Sequence, residues 1–560
     1  MFDLQRVLRN TAQHTAAQAL VLAFSYLVKF YYYLRKCVLF LAIIHNFLRF
    51  FENSSILDVY YDWLLCTAPE YPDRLEVRLM KTSISEKARI GVMSVGHKEY
   101  WEWDQFPGMR ESLSIMGREI AACIAETGAE VFFEFVDNRE DSYAAGLRLR
   151  QQNIDLLFLH ITTYAASGRW VQGALAADCP IVVVGSQRWK DTSGRRDINA
   201  DEANGVGGPC GFPEAYHALM RVGKKPAGLI FGVHIDDRFR DELHQWTRAA
   251  NAVHAFKGVA FGFMGHTYEG MLDMNFDPTS ITRAVGAHVK MVEMCELVDY
   301  VEKCTDEEIS DKIDQIKEHF ELMPPSYERM TVPIKDEDVA WAAQVAVGLD
   351  KLVENNNLSG LVYYYCGEND SIYERTASNL IIGNSLMTTK GISMAGEADM
   401  KTCIAMYLTS ALGCGGSFCE LCFMAFDYNH LAIGHDGPHD IRISQGKPMI
   451  RGLGFMHGKK GHGISVEFPI KFGPITMVAF TQDENCNFKL VYAEGQSVDG
   501  WLAKQGNSLT RADFGMDIRD FICKWVEAGV THHAALSVGH CGSMVEKFGK
   551  ILGIPVEKIC

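Results

Sequence analysis

The segment ARIGVMSV at 88–95, followed by RESLSIMGREIAACIAETG at 110–128 and AEVFFEFV at 129–136, decides the fold class. The first and third are β-rich apolar runs of strand length. Between them Leu113, Ile120 and Ile124 fall on one helical face, and Gly128 ends the helix. IDLLFLHI (154–161) and PIVVVGS (180–186) repeat the strand pattern, with helical stretches between them. Strands apolar on both faces that alternate with helices predict a parallel sheet covered by helices.

The same logic extends outward along the chain. After the polar GKKP at 223–226, AGLIFGVH (227–234) opens a second alternation. DDRFRDELHQWTRAANAV supplies its first helix, FKGVAFGFMGH (256–266) a strand, and CTDEEISDKIDQIKEHFELM (304–323) an exposed charged helix. LSGLVYYYC and DMKTCIAMYLTSALG add a strand and a helix. Beyond about 413 the chain turns to short, Gly-punctuated segments such as HGISVEFPIKFGPITMVAFTQ, which read as an antiparallel or barrel-like unit. The expected division is α/β at 80–226, α/β at 227–412 and β-rich at 413–560, behind an N-terminal extension at 1–79.

Composition bounds the function. With 560 residues, 48% hydrophobic and 22% charged, the chain can bury a sizeable core, which excludes a disordered protein. A net charge of −16 argues against an electrostatic nucleic-acid binder. Sixteen irregularly spaced cysteines suit reduced, buried thiols, and a cytoplasmic location is expected. Residues 1–50 run against this balance, with six basic groups against Asp3. Their uncharged runs, Ala19 to Val28 and Cys37 to Ile44, are ten and eight residues, short of the roughly 20 that span a bilayer. The favoured reading is a start at Met80; membrane contact is expected only if residues 15–51 belong to the working protein.

Two tempting motifs read as structural. GVGGPCG (205–211) places Cys210 where a dinucleotide fingerprint needs its last glycine, and no strand leads into it. Cys414, Cys419 and Cys422 open an iron–sulfur spacing, but no fourth ligand is evident and their neighbours are apolar. Carboxylate and imidazole groups are more informative. Glu397, in ISMAGEADMKT, sits at a strand-to-helix turn, the edge of an open α/β sheet where ligands bind. Glu420, in SFCELCFMAF, lies between apolar residues, where an unpaired charge is very costly. His435 lies in AIGHDGPHD, and His532 and His533 in VEAGVTHHAALS. Each alone has an ordinary structural explanation. Two Glu and two His together would suit Mn²⁺ or a related divalent ion.

At these residues the chain resembles the L-arabinose isomerase family, within the L-fucose/L-arabinose isomerase group. AGEADMKT is similar to the family's AGEGDWKT, SFCEL to SFMED, GHD to GSH, and VTHHAALS to AHHTVFS. The resemblance implies metal ligation by Glu397, Glu420, His435 and His533, with His532 the alternative to His533, and Glu397 and Glu420 also the acid/base pair. GKPMIRGLGFMHGKKG, FGPITMVAF and HITTYAASGRWVQGAL extend the likeness, which runs in order from about 88 to 540. It implies two Rossmann-like parallel-sheet domains followed by a β-barrel-containing C-terminal domain, Mn²⁺ or Co²⁺ as cofactor, and a homo-oligomer.

The sugar end departs from the pattern. VGHKEY puts His97 where the family has a glutamine and keeps Tyr100; VVGSQ puts Gly185 in place of a histidine and keeps Gln187; Tyr164 replaces a phenylalanine. His97, Tyr100, Tyr164, Gln187 and His532 are the expected substrate contacts. The function implied is aldose–ketose isomerisation of a small sugar through a cis-enediol, most like L-arabinose to L-ribulose. L-fucose or another aldose is the alternative substrate. A metal-dependent aldolase and a non-catalytic sugar-binding protein are the alternative functions.

Overall fold

The computed structural model describes residues 87–102, 106–190, 209–456 and 459–560. The extension at 1–79, its apolar stretch at 15–51 and the GVGG turn at 205–208 lie outside the described residues. The fold is α/β, with two parallel sheets followed by a largely antiparallel C-terminal sheet.

The first sheet holds β1 (Arg89–Val95), β2 (Glu130–Val136), β3 (Leu156–Ile161), β4 (Ile181–Gln187) and β5 (Gly228–Val233), in the order β2-β1-β3-β4-β5. All its pairings are parallel. Strand order reverses between β1 and β3, and that switch point is where open α/β sheets bind ligands. β5 corrects the sequence reading. AGLIFGVH was expected to open the second unit, yet it pairs with β4 as the fifth strand of the first sheet. An apolar run carries the signal for a strand but not for which neighbour it joins.

The second region carries β6 (Ala260–Gly265), β7 (His288–Val292), β8 (Glu321–Met323), β9 (Thr331–Val332), β10 (Leu358–Tyr364) and β11 (Ser393–Ala395). β11, β10, β6 and β7 form its parallel sheet in that order. The charged segment expected as one helix is helical over Asp306–His319 and then becomes β8.

The last region holds β12 (Ser417–Ala425), β13 (His430–His435), β14 (Met449–Met456), β15 (Lys459–Glu467), β16 (Gly473–Gln482), β17 (Phe488–Val498), β18 (Ser508–Asp513), β19 (His533–Val538) and β20 (Val556–Lys558). Pairing runs β16-β19-β12-β13-β18-β17 and returns from β17 to β16. That closed path is the connectivity of a six-stranded antiparallel barrel, which leaves few open edges. β14 and β15 pair outside this ring and recruit β8 and β9 from the middle region.

Side chains split by the period-two rule. Cys419, Ile433, Met477, Ala479, Ala534 and Leu536 share one apolar cluster. Phe418, Val478, Phe480 and Ala535 face another, shared with the helices Asp237–Ala255, Met400–Ala411 and Gly542–Leu552. The candidate site lies on this second face. Among the described residues no helix is long and apolar enough to cross a membrane.

Candidate metal centre

Glu397 follows β11, at the carboxyl edge of the second sheet. Its backbone lies in the left-handed region (φ 55°, ψ 14°), and so does that of Ala398 (φ 59°). Two successive non-glycine residues in this region cost about 1–3 kcal/mol each, a type of strain that clusters at functional sites. Asp399 then caps the helix that begins at Met400, accepting from the Thr402 N–H at 3.0 Å and the Thr402 hydroxyl at 2.8 Å.

β12 and β19 bring the other groups alongside. Their register sets Glu420 directly opposite His533, so both side chains leave the same face. On the other side Glu420 pairs with Gly434, the residue before His435. Phe418 packs against both imidazoles, with ring centroids 4.8 Å from His435 and 4.2 Å from His533.

The Glu397 carboxylate and one ring nitrogen each from His435 and His533 lie within 4.8 Å of one another. His533 Nε2 is 3.6 Å from Glu397 Oε2, and the two imidazole centroids are 5.3 Å apart. Glu420 stands outside this trio, one strand position away, near enough for its charge to raise His435. Burial works against protonation of His435, but Asp436 at 2.9 Å, then Glu420 and Glu397, outweigh it and raise its pKa.

The donor chemistry fits a divalent ion. Burial lowers the His533 pKa against the pull of Asp399. Its Nδ1–H donates to Asp399 Oδ2 at 3.1 Å, so the neutral ring turns the Nε2 lone pair toward Glu397. That nitrogen is buried and makes no hydrogen bond. A carboxylate that fixes the tautomer of a ligating histidine is the usual outer support of such sites. Burial opposes the charge on Asp399, but its bonds from His533 and Thr402 outweigh that and hold it ionised.

Residues 275–415, which include Glu397 and Asp399, match the family model for the L-arabinose isomerase central domain. A Herpetosiphon aurantiacus L-arabinose isomerase is 23% identical over 354 residues, covering 61% of this chain and 67% of the relative. The Bifidobacterium adolescentis L-arabinose isomerase is 20% identical over 414 residues, 71% of this chain and 78% of the relative. The Clavibacter sepedonicus L-arabinose isomerase is 23% identical over 411 residues, 70% and 76% of the two chains. These likenesses fit a divergent relative of the L-arabinose isomerases.

Of the residues expected at the sugar end, His97, Tyr100 and Tyr164 gather at the first sheet's switch point. His97 and Tyr164 follow β1 and β3, and Gln187 ends β4. The His97 ring lies 4.7 Å from that of Tyr100 and 6.2 Å from that of Tyr164. Burial lowers the pKa of His97, against the charge of Glu99, which also meets Arg169. Gln187 is engaged locally, its amide donating to the Trp189 carbonyl at 2.5 Å.

His532 lies beside the trio, its Nε2 3.8 Å from Glu397 Oε2. Glu397, with Asp273 adding to it against burial, pushes the His532 pKa up to about 9. Sequence reasoning missed Asp399, Asp273 and Lys401. Asp399 carried a legible signal, an Asp three residues before Thr402 at the start of an apolar helix. Asp273 carried none.

Other candidates are engaged elsewhere. The Cys419 thiol donates to the Ala534 carbonyl at 3.2 Å and the Cys422 thiol to the Gly434 carbonyl at 3.5 Å. Neither belongs to a metal-holding group among the described residues. Cys123, Glu126 and His244 also converge, but Arg240 holds both Glu126 oxygens at 2.7 Å and His244 Nε2 lies 3.1 Å from the Cys123 carbonyl.

Proposed function

We propose that this chain is a metal-dependent aldose–ketose isomerase, an intramolecular oxidoreductase acting on an open-chain sugar through a cis-enediol. The observation that carries the reading is the convergence of Glu397, His435 and His533, with Glu420 directly opposite His533. L-arabinose to L-ribulose is the first conversion to test, because the relatives bear that enzyme's name. L-fucose or another aldose is the alternative, since His97, Gly185 and Tyr164 stand where the family's sugar-facing pattern differs.

Isomerisation removes the proton on C2 and returns one to C1, while O1 gains and O2 loses a proton. Glu397 and Glu420 are the carboxylates placed to remove and return these protons, a contribution typically of ~10²–10⁴-fold. Glu397, Glu420, His435 and His533 would hold Mn²⁺ or Co²⁺, which when bound polarises the carbonyl and offsets negative charge developing on the two sugar oxygens. His533 would contribute a neutral nitrogen donor, kept in the required tautomer by Asp399, and His435 would ligate only after giving up the proton that Asp436, Glu420 and Glu397 favour. Phe418, packed on both rings, excludes water from their inner side. His97, Tyr100, Tyr164, Gln187 and His532 are assigned to sugar binding. A homo-oligomer in the cytoplasm completes the reading; the fourteen described cysteines are all free thiols, as a reducing compartment keeps them.

The test is a panel of aldoses scored for ketose in Mn²⁺ and in chelator. Ketose that chelator abolishes, with a loss of about 10²-fold or more in Glu397→Gln and Glu420→Gln, supports the reading. Wild-type rates in both variants, or no ketose from any aldose with metal present, would sink it. Triose products from a ketose phosphate would point to an aldolase instead.

A further inference from the structure

His532 is held from a distance. Its Nδ1–H donates to Asp273 Oδ2 at 2.7 Å, and its backbone N–H donates to the same oxygen at 3.1 Å. One carboxylate oxygen thus fixes both the ring and the main chain of a residue 259 positions away. With Nδ1 engaged, Nε2 is the edge left facing Glu397, 3.8 Å from Oε2.

Asp273 has no long element to hold it. It lies in a single helical turn, Leu272–Met274, in the connection between β6 and β7. That turn is fastened by Lys401, whose Nζ donates to the Asp273 carbonyl at 2.5 Å and to the Asn275 carbonyl at 3.3 Å. Lys401 is 4% exposed and sits in the first turn of the helix Met400–Ala411. An ammonium there is disfavoured by desolvation and by the positive end of the helix dipole. An apolar side chain would fill the space without either penalty. What the ammonium adds is a fixed distance between the loop carrying Asp273 and the helix whose N-cap, Asp399, supports His533. The two histidines, 3.8 Å apart by ring centroid, are thereby held by carboxylates tied to one helix end.

Resting on the isomerase reading, we propose that Asp273 is a positioning residue, fixing the His532 ring so that Nε2 faces Glu397 and the sugar oxygens. Lys401 holds the turn that presents Asp273. The assignment separates two supports of the same site. Asp399 acts through a metal-site histidine and so governs metal affinity. Asp273 acts through a histidine outside the trio and so governs turnover and substrate affinity alone.

Four proteins test this: wild type, Asp273→Ala, His532→Gln and the double variant, all as the full chain. Asp273→Ala is expected to lower kcat/KM by about 10- to 100-fold, the usual cost of losing such an outer carboxylate, with Mn²⁺ affinity by calorimetry unchanged. In the His532→Gln background, Asp273→Ala should cause no further loss, because its effect runs through that ring. Multiplying losses, or a fall in Mn²⁺ affinity as large as the fall in activity, would overturn the proposal. A crystal structure of Asp273→Ala gives a readout independent of turnover. The His532 ring should leave its place beside Glu397; a ring that stays there overturns the inference. A wild-type protein that converts no aldose would end the isomerase reading instead, and the ring position would still decide this one.

Discussion

His533 Nδ1 and Asp399 Oδ2 lie 3.1 Å apart, joining the first residue of β19 to the N-cap of a helix 134 residues earlier. Both side chains are buried, so the carboxylate that caps the helix through Thr402 also sets the ring tautomer and the direction of Nε2.

Asp399→Asn separates these roles. Asn caps a helix about as well as Asp, so unfolding of the metal-free protein should change by no more than about 1 kcal/mol. An amide no longer favours the Nδ1–H tautomer electrostatically, and Mn²⁺ affinity should fall about 10- to 100-fold. Calorimetric titration and urea unfolding check the two halves independently.

A site assembled from β11, β13 and β19 should couple metal binding to folding. Mn²⁺ at 100 times its Kd is expected to add about 2.7 kcal/mol of stability, seen as a rise in Tm that chelator reverses. His533→Gln and His435→Gln should each weaken or abolish the shift. Identical melting with ion and with chelator would remove the metal from the reading.

Acid should weaken the first sheet through His160. This ring is fully buried, with Ser94 Oγ and Ser186 Oγ each 3.1 Å from its nitrogens, and burial, aided by His234, pushes it down to about 3. The unfolded ring takes a proton near 6.5. Its contribution is therefore complete above pH 6.5 and is lost as pH falls toward 3, at up to about 1.4 kcal/mol per pH unit. His160→Gln should flatten the pH dependence of urea unfolding by up to one proton across this window, whatever its effect at pH 7. An unchanged slope would show that His160 does not stay neutral in the folded state.

Ala398 stands where the resembling family motif has glycine, and its φ of 59° is glycine's territory. Ala398→Gly should relieve about 1 kcal/mol or more of backbone strain, offsetting the lost burial of one methyl and leaving unfolding nearly unchanged. Ala405→Gly, in the interior of the helix Met400–Ala411, has no such relief and should cost about 1–2 kcal/mol. Equal losses at the two positions would show that the turn at Glu397 is not strained.

Much of this molecule was legible along the chain. Apolar periodicity marked β1 to β4, the helix Met400–Ala411 and the β-rich character after 413, because strand and helix periods are local properties. Glu397, Glu420, His435 and the pair His532 and His533 stood out because charge and imidazole beside apolar runs must be satisfied somehow. Pairing was another matter. AGLIFGVH joined the first sheet, β8 and β9 joined β14, and the β17–β16 contact closed the ring; each depends on a partner far along the chain. The same holds for Asp273, whose carboxylate gains meaning only where a fastened turn meets His532. Sequence determined which segments form and which side chains need partners, since those demands arise within a few residues. Tertiary structure alone decided the partners, because hydrogen bonds and strand register are satisfied by whatever folding brings within about 3 Å.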